Sequence, residues 1–402
     1  MSFSDAPHLR GDVWGNGRAP ETTGFAASLA AGRLIVCGER ADQLSAQLDY
    51  TNRFLRVSRL TLARDAGRVE VPLGGIRFAS SNIIISMTNA SSTMDPEPVR
   101  RALGNIAPSF MREIHFDSPP LVTASGSFTP GDDLGTDMHF FVQGSRFHWD
   151  LLAADSIEGK VDYRVCTAVV TNVQAGLYKT GRLGGGVAFA WGPRGTRYDS
   201  DFNLTNIDLG ALAREWTSKT NKLEGMLDGH LALAAPFDAS VTNLSGHGWL
   251  LVHDGLLWDI KLFGILSPML DAIAPGSSHS RAHEATASFL ITNGVLSTDD
   301  LEIRSLVFRL KYRGTVDAKT RLNARVEANL LRDTPVFGHL LSWMLTPLDK
   351  LFEYRLTGTL QKPVAEPLYI NKVFMDILRP FHTLKTLLPP PSSAKPAPAP
   401  SP

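Results

Sequence analysis

A chain of 402 residues, 43% apolar and 20% charged, is long enough for a large core and for two or three domains. Forty basic residues balance forty acidic ones, so the net charge of zero lacks the basic footprint that nucleic-acid binding needs. The two cysteines, Cys37 and Cys166, form neither a disulfide framework nor a metal cluster and read as buried thiols rather than a bridge.

Met1 to Asn16 contains no apolar core of the kind a secretory leader has. The most apolar window, Gly255 to Ala274, carries Asp259, Lys261, Pro268 and Asp271, against a span of about 20 apolar residues. Leu9, Gly11 and Val13 already alternate like the middle of a sheet before an expected loop at Gly15 to Thr23. An anchor upstream of this start is therefore expected.

Strands follow at Leu34 to Cys37, Leu44 to Tyr50, Phe54 to Leu62, Val69 to Val71, Ile76 to Phe78 and Ile83 to Met87, punctuated by Gly- and Asn-containing turns. Asp95 followed by Pro96 and Pro98 predicts a short helix through Val99, Ala102 and Leu103. Strands resume at Val122 to Phe128 and Met138 to Trp149. An internal repeat then emerges. Ala41-Asp42, Leu44, Leu48-Asp49-Tyr50 and Gly67-Arg68-Val69 have counterparts in Ala154-Asp155, Ile157, Val161-Asp162-Tyr163 and Gly181-Arg182-Leu183, with one extra residue before the last block. Such self-similarity predicts stacked units, each burying its neighbour's face.

Asp208 is placed to cap a helix bearing Leu209, Leu212, Ala213 and Trp216. The next strand, Leu223 to Leu233, has Gly225 and Gly229 on its apolar side, which predicts close approach or strong curvature. A strand from Leu244 is expected to end in a turn at Asp254-Gly255, ahead of an apolar helical stretch from Ile260 to Ile273. Ala285, Ala287, Phe289 and Ile291 alternate up to an Asn293-Gly294 hairpin turn, and Leu301 to Tyr312 returns.

The clearest alternation of all is Leu322, Ala324, Val326, Ala328 and Leu330 against Arg321, Asn323, Arg325, Glu327 and Asn329: one apolar face and one wet face. Pro335 opens an amphipathic helix through Leu348, and Tyr354 to Leu360 makes a last strand ended by Lys362-Pro363. The tail from Pro389, rich in Pro, Ala and Ser, reads as disordered. The fold class expected is all-β dominated with a few short helices, as a curved, mostly antiparallel sheet.

Leu244-x-Gly246-x-Gly248, Asp254-Gly255-Leu256, Phe289-x-Ile291-x-Asn293-Gly294, Leu301-x-Ile303, Gly314-Thr315-Val316 and Tyr354-x-Leu356-x-Gly358-Thr359-Leu360-x-Lys362-Pro363 occur in that order. Over Leu204 to Ile370 this series resembles the C-terminal domain of AsmA-like proteins, relatives of TamB and of other repeating β-groove proteins. The resemblance implies an elongated sheet with an apolar groove and four segments. These are β-rich repeats at 1–130 and 131–236, an AsmA-like domain at 237–370, and an amphipathic segment with a disordered tail at 371–402. It further implies a periplasmic, inner-membrane-associated protein that takes phospholipid as partner, touches the membrane, meets other envelope proteins, and contributes to outer-membrane biogenesis. The groove-lining candidates are Leu223, Leu227, Leu231, Phe289, Ile291, Leu306, Phe308, Leu310, Leu322, Val326 and Leu330.

The physics agrees with a lipid trough, since burying an acyl chain gains about 0.8 kcal/mol per CH₂. The same alternation also builds a closed β-sandwich, and with it a partner-binding scaffold. Enzyme readings are weaker. His279, His283 and Glu284 sit in a polar loop entering a strand, without a third ligand, so no metal or cofactor is expected. Asp199 and Asp201 read as a solvated strand face; Gly184-Gly185-Gly186 lacks the Lys-Ser/Thr of a phosphate loop; and Gly246-His247-Gly248 is too short for a nucleotide fingerprint.

Overall fold

The computed structural model describes residues 2–370, apart from 17–18, 37, 80–81, 104–113, 150–151, 193–194, 218–221, 237–240, 274–280, 307 and 331–349. Among the described residues are 22 strands and four short α-helices, as the all-β expectation requires. The chain forms two compact units, one of residues up to 207 with 230–239, the other of 208–229 with the residues from 240 on. Cys37, His279, the helix expected after Pro335 and the tail lie outside the described residues.

In the first unit, β1 (Ser2–Phe3) and β2 (His8–Asn16) pair with successive halves of β3 (Ala19–Val36). From there β4 (Glu39–Thr51), β5 (Phe54–Arg64), β6 (Gly67–Phe78) and β7 (Ile83–Ser92) follow as an antiparallel meander. Helix α1 (Pro96–Leu103) comes next, with the Glu97 N–H donating to Asp95 Oδ1 at 2.9 Å. The pattern then starts again. β8 (Ile114–Phe116) and β9 (Leu121–Thr129) share the edge of β10 (Asp132–Trp149), and β11 (Leu152–Arg164), β12 (Thr167–Leu177), β13 (Gly181–Gly192) and β14 (Gly195–Asp208) meander on. Helix α2 (Leu209–Thr217) opens the second unit, the Ala211 N–H donating to Asp208 Oδ1 at 2.8 Å.

The repeat is thus a duplication of register. Phe3 faces Leu34 and, 113 positions on, Phe116 faces Phe147; Phe25 faces Tyr50 and Met138 faces Tyr163. The pairing of β4 with β5 slips between Ser45 and Gln47, and that of β11 with β12 between Glu158 and Lys160, the same two places. At these slips Arg59 (φ 51°) and Asn172 (φ 53°) adopt left-handed backbone, the extra residue of a bulge that bends its strand. Asp42 accepts the Asp65 N–H at 2.7 Å and Asp155 accepts the Lys179 N–H at 2.8 Å, so one carboxylate braces the same hairpin in both copies. The added residue lies in that hairpin. A Cβ on Gly67 would stand 3.0 Å from Met94, and one on Gly181 would stand 2.6 Å from Ile207, again equivalent positions.

Several boundaries differ from expectation. The loop expected at Gly15 to Thr23 is mostly the start of β3, because Phe25, Ala27 and Leu29 need partners on β2. The two strands expected at Val69 to Val71 and Ile76 to Phe78 are one strand, β6, running through Pro72. Asp254-Gly255 does not turn the chain: β16 (Ser245–Leu256) runs through it, with Asp254 at φ 50° and Gly255 still paired with Ala282.

The second unit continues with the first half of β15 (Glu224–Pro236), then β16, β17 (Ala282–Thr292), β18 (Val295–Arg304), β19 (Phe308–Val316), β20 (Leu322–Leu330), β21 (Phe352–Thr359) and β22 (Lys362–Ile370). From β16 on these make an antiparallel meander with sequential neighbours. Asn293 (φ 50°) and Gly294 (φ 70°) form the expected hairpin turn, both in the left-handed conformation a type I′ turn demands. Lys362-Pro363 begins β22 rather than ending the sheet, because Leu360 and Gln361 turn the chain back upon β21. Between β16 and β17 lie α3 (Lys261–Gly264) and α4 (Ser267–Ile273), and no described helix is long and apolar enough to cross a membrane.

Candidate apolar binding face

Residues paired across antiparallel strands lie on the same face of a sheet, so the registers trace what each face carries. In the first unit Phe25, Tyr50, Leu55, Ile76, Ile85 and Phe128 stand opposite one another in succession on β3, β4, β5, β6, β7 and β9. The second copy repeats the row with Met138, Tyr163, Ala168, Phe189 and Tyr198 on β10 to β14. Ala124, Phe140, Val161, Val170 and Val187 make a parallel row two residues further along these strands. Phe25 stacks on Tyr50 at 5.5 Å between centroids, and Trp191 lies 6.0 Å from Tyr163 and 6.2 Å from Phe189.

Most of these side chains are only half-buried. Half of the buried apolar residues described in this unit are alanines, among them Ala46, Ala154, Ala168 and Ala175, while Ala31, Leu34, Ala41 and Leu44 make a small core where β3 and β4 meet. Beside that core the large residues of the rows, Met138 apart, are half-buried and form a broad apolar face. Partial burial pushes the Tyr198 phenol up from its ordinary value. Opposite lies a wet face, where Asp49 pairs with Arg56 across strands and His139 Nδ1 stands 2.5 Å from Asp162. Asp199 and Asp201 are exposed there too, Asp199 accepting from Arg197 at 3.1 Å.

The second unit treats its apolar face differently. Phe308, Leu310 and Tyr312 on β19, Leu322, Ala324, Val326 and Ala328 on β20, and Phe352, Tyr354 and Leu356 on β21 are at most 8% exposed. Leu257, Phe263, Leu266, Met269 and Leu270, from the α3–α4 segment, join them in one cluster, with Phe263 edge-on to Tyr312 at 5.3 Å. Burial raises the hydroxyl pKa of Tyr312 and of Tyr354, and the Tyr312 hydroxyl has no hydrogen-bond partner among the described residues.

The expected groove residues divide accordingly. Phe308, Leu310, Leu322 and Val326 share one contiguous face, as their alternation requires, and helices cover it. Ile291 and Leu227 are buried, while Phe289, Leu223 and Leu231 are half-buried. Gly229 shows the close approach expected of β15, since a Cβ there would meet the Trp249 carbonyl at 2.8 Å. Leu306 departs from expectation: it is 75% exposed in the turn between β18 and β19, where the Ser305 and Phe308 backbones bond to each other. The Leu330 side chain lies outside the described residues.

The rows of the first unit were not among the expected lining residues. Their signal was present in the alternation of Leu48 with Tyr50 and of Leu55 with Val57, and in the repeat that copies them. His283 lies on β17 with its ring 3.7 Å from Asp254, and no group of three or more His, Cys, Asp and Glu among the described residues is placed to hold a metal. Cys166 is a free, half-buried thiol in the β11–β12 turn, not the strand interior expected of it. No family model, curated protein or solved structure matches this chain.

Proposed function

We propose that the chain binds phospholipid acyl chains along the apolar face of its first unit, as a non-enzymatic carrier or conduit of the AsmA-like, repeating β-groove type. The observation that carries this reading is the succession of half-exposed Phe, Tyr, Leu, Ile and Val side chains, matched strand by strand across two repeats. A face of that kind gains about 0.8 kcal/mol for each methylene it takes out of water, and large exposed apolar patches mark sites of ligand, membrane or partner contact. The wet face needs only to keep the sheet solvated, and the reading calls on no catalytic group. It carries with it a periplasmic, inner-membrane-associated setting and a contribution to outer-membrane biogenesis, with envelope proteins as further partners.

A second reading, a partner-binding scaffold with a closed core, draws on the second unit, where α3 and α4 cover the sheet. Lipid extraction and mass spectrometry of gently purified protein, before and after incubation with phosphatidylethanolamine and phosphatidylglycerol vesicles, separates the two. Bound phospholipid is expected, and Val161→Glu should lose it while keeping its melting transition. Protein that stays lipid-free after incubation would leave the scaffold reading standing.

A further inference from the structure

The duplication shows that one exposed strand edge is of a kind that pairs. β2 is the counterpart of β9, since His8 faces Ala30 as Leu121 faces Gln143, and Gly11 faces Ala27 as Ala124 faces Phe140. The outer edge of β9 is paired with β7, from Ile85 opposite Phe128 to Ser92 opposite Val122. No described strand pairs with the outer edge of β2, whose Leu9 is 67% and Val13 77% exposed. Neither Pro nor Lys guards it, the usual means of keeping an edge from pairing. The edge of β22, by contrast, contains Pro363, Pro367 and Lys362.

We infer that the β2 edge pairs with β2 of a second copy of this chain, antiparallel, around a two-fold axis at Gly11. The occupant is indicated by the sequence of the strand itself. Leu9-Arg10-Gly11-Asp12-Val13 reads apolar, cation, glycine, anion, apolar, and is self-complementary when turned upon itself. With Gly11 opposite its own copy, each Arg10 faces the other protomer's Asp12 on the wet side. Each Leu9 likewise faces the other Val13 on the side that carries Phe25 and Leu29. Opposite charges and paired apolar residues directly across an antiparallel pair both stabilise it. A two-fold contact of this kind is isologous and closes at two copies. One strand against another is a small interface, so the dimer is reversible and concentration-dependent. It stands independently of what the apolar face holds.

Sedimentation equilibrium of the full chain, from micromolar to about 100 µM, is the test. Wild type should move from one-chain to two-chain mass over that range. Arg10→Asp places carboxylates opposite carboxylates and Asp12→Arg guanidinium opposite guanidinium, so each alone should weaken self-association by at least about tenfold. Mixing the two variants makes every cross-strand pair opposite in sign again, and a heterodimer should form at wild-type concentrations. Circular dichroism and melting of both variants should match wild type, because every residue of β2 is exposed. A wild type that stays at one-chain mass throughout, as it would with another segment or another protein on this edge, overturns the inference. So does a dimer indifferent to both charge reversals.

Discussion

Val326 is the sharpest probe of how the second unit differs from the first. It is fully buried, and its cross-strand neighbours are Tyr312 and Tyr354, themselves 2% and 0% exposed. In Val326→Glu the carboxyl enters a cluster whose described residues are all apolar or Tyr, and it is held neutral at pH 7. Neutralising a group of ordinary pKa about 4.3 at that pH costs about 2.7 units at about 1.4 kcal/mol each, or about 4 kcal/mol. Burying the neutral acid without partners adds about 1–3 kcal/mol. The sum rivals the whole stability of a domain, about 5–15 kcal/mol. The sign follows from linkage: the folded-state pKa is raised, so the penalty grows as pH rises above about 4.3 and shrinks by about 1.4 kcal/mol per unit as pH falls toward it. Urea melts at pH 7 and pH 5 read this directly, with Arg325→Glu as control. Arg325 is exposed, stands between Arg313 and Arg355 on the adjacent strands, and has Glu353 3.9 Å away, so reversing its charge should change stability by less than about 1 kcal/mol. A Val326→Glu protein with the wild-type midpoint at pH 7, or a loss that does not vary with pH, would refute the covered-core argument.

Three further outcomes are expected. Asp155→Ala removes the acceptor for the Lys179 N–H and should cost about 1 kcal/mol in a denaturant melt; Asp42→Ala, at the equivalent place, should cost the same within error. Gly294→Ala puts a Cβ 2.4 Å from the Val241 carbonyl on a residue at φ 70°, and should lower stability by at least about 1 kcal/mol. Glu39 is held down to about 2 by hydrogen bonds from Arg101 and Arg64 that tie α1 to the sheet. Its contribution is present above the ordinary carboxylate value of 4.5 and is lost as pH falls toward 2. Glu39→Gln should therefore be less stable at pH 7 and show a flatter acid-unfolding curve across that window.

Alternation marks a face, and that much was legible. Leu322 to Leu330 is a strand with the sidedness its residues dictate, Asn293-Gly294 turns where its left-handed preference allows, and Asp208 caps the helix that follows it. The repeat was legible as well, down to the one added residue, because Asp42 and Asp155 perform the same bracing task in the two copies. What covers a face is a different matter, since it depends on partners distant in the chain. Nothing local to Val326 tells that Leu266 and Met269 lie over it, and nothing local to Ile76 tells that it stays half-exposed. Leu306 fits the alternating pattern and still falls in a turn, because the Ser305 hydroxyl accepts from the Phe308 N–H and closes the chain there. Asp254-Gly255 carries a turn signal that β17 overrides by pairing straight past it.

The shift of 113 positions gives the first unit a unit of measure. Each copy supplies six long strands side by side, and strands in a sheet stand about 4.8 Å apart, so one copy spans about 29 Å along the hydrogen-bonding direction. The hydrocarbon layer of a bilayer is about 30 Å thick. Because the junction between copies is an ordinary antiparallel pairing, β7 with β9, the chain can be lengthened or shortened by whole periods without inventing a new contact. The width of the sheet is then a matter of counting copies, each adding about 29 Å.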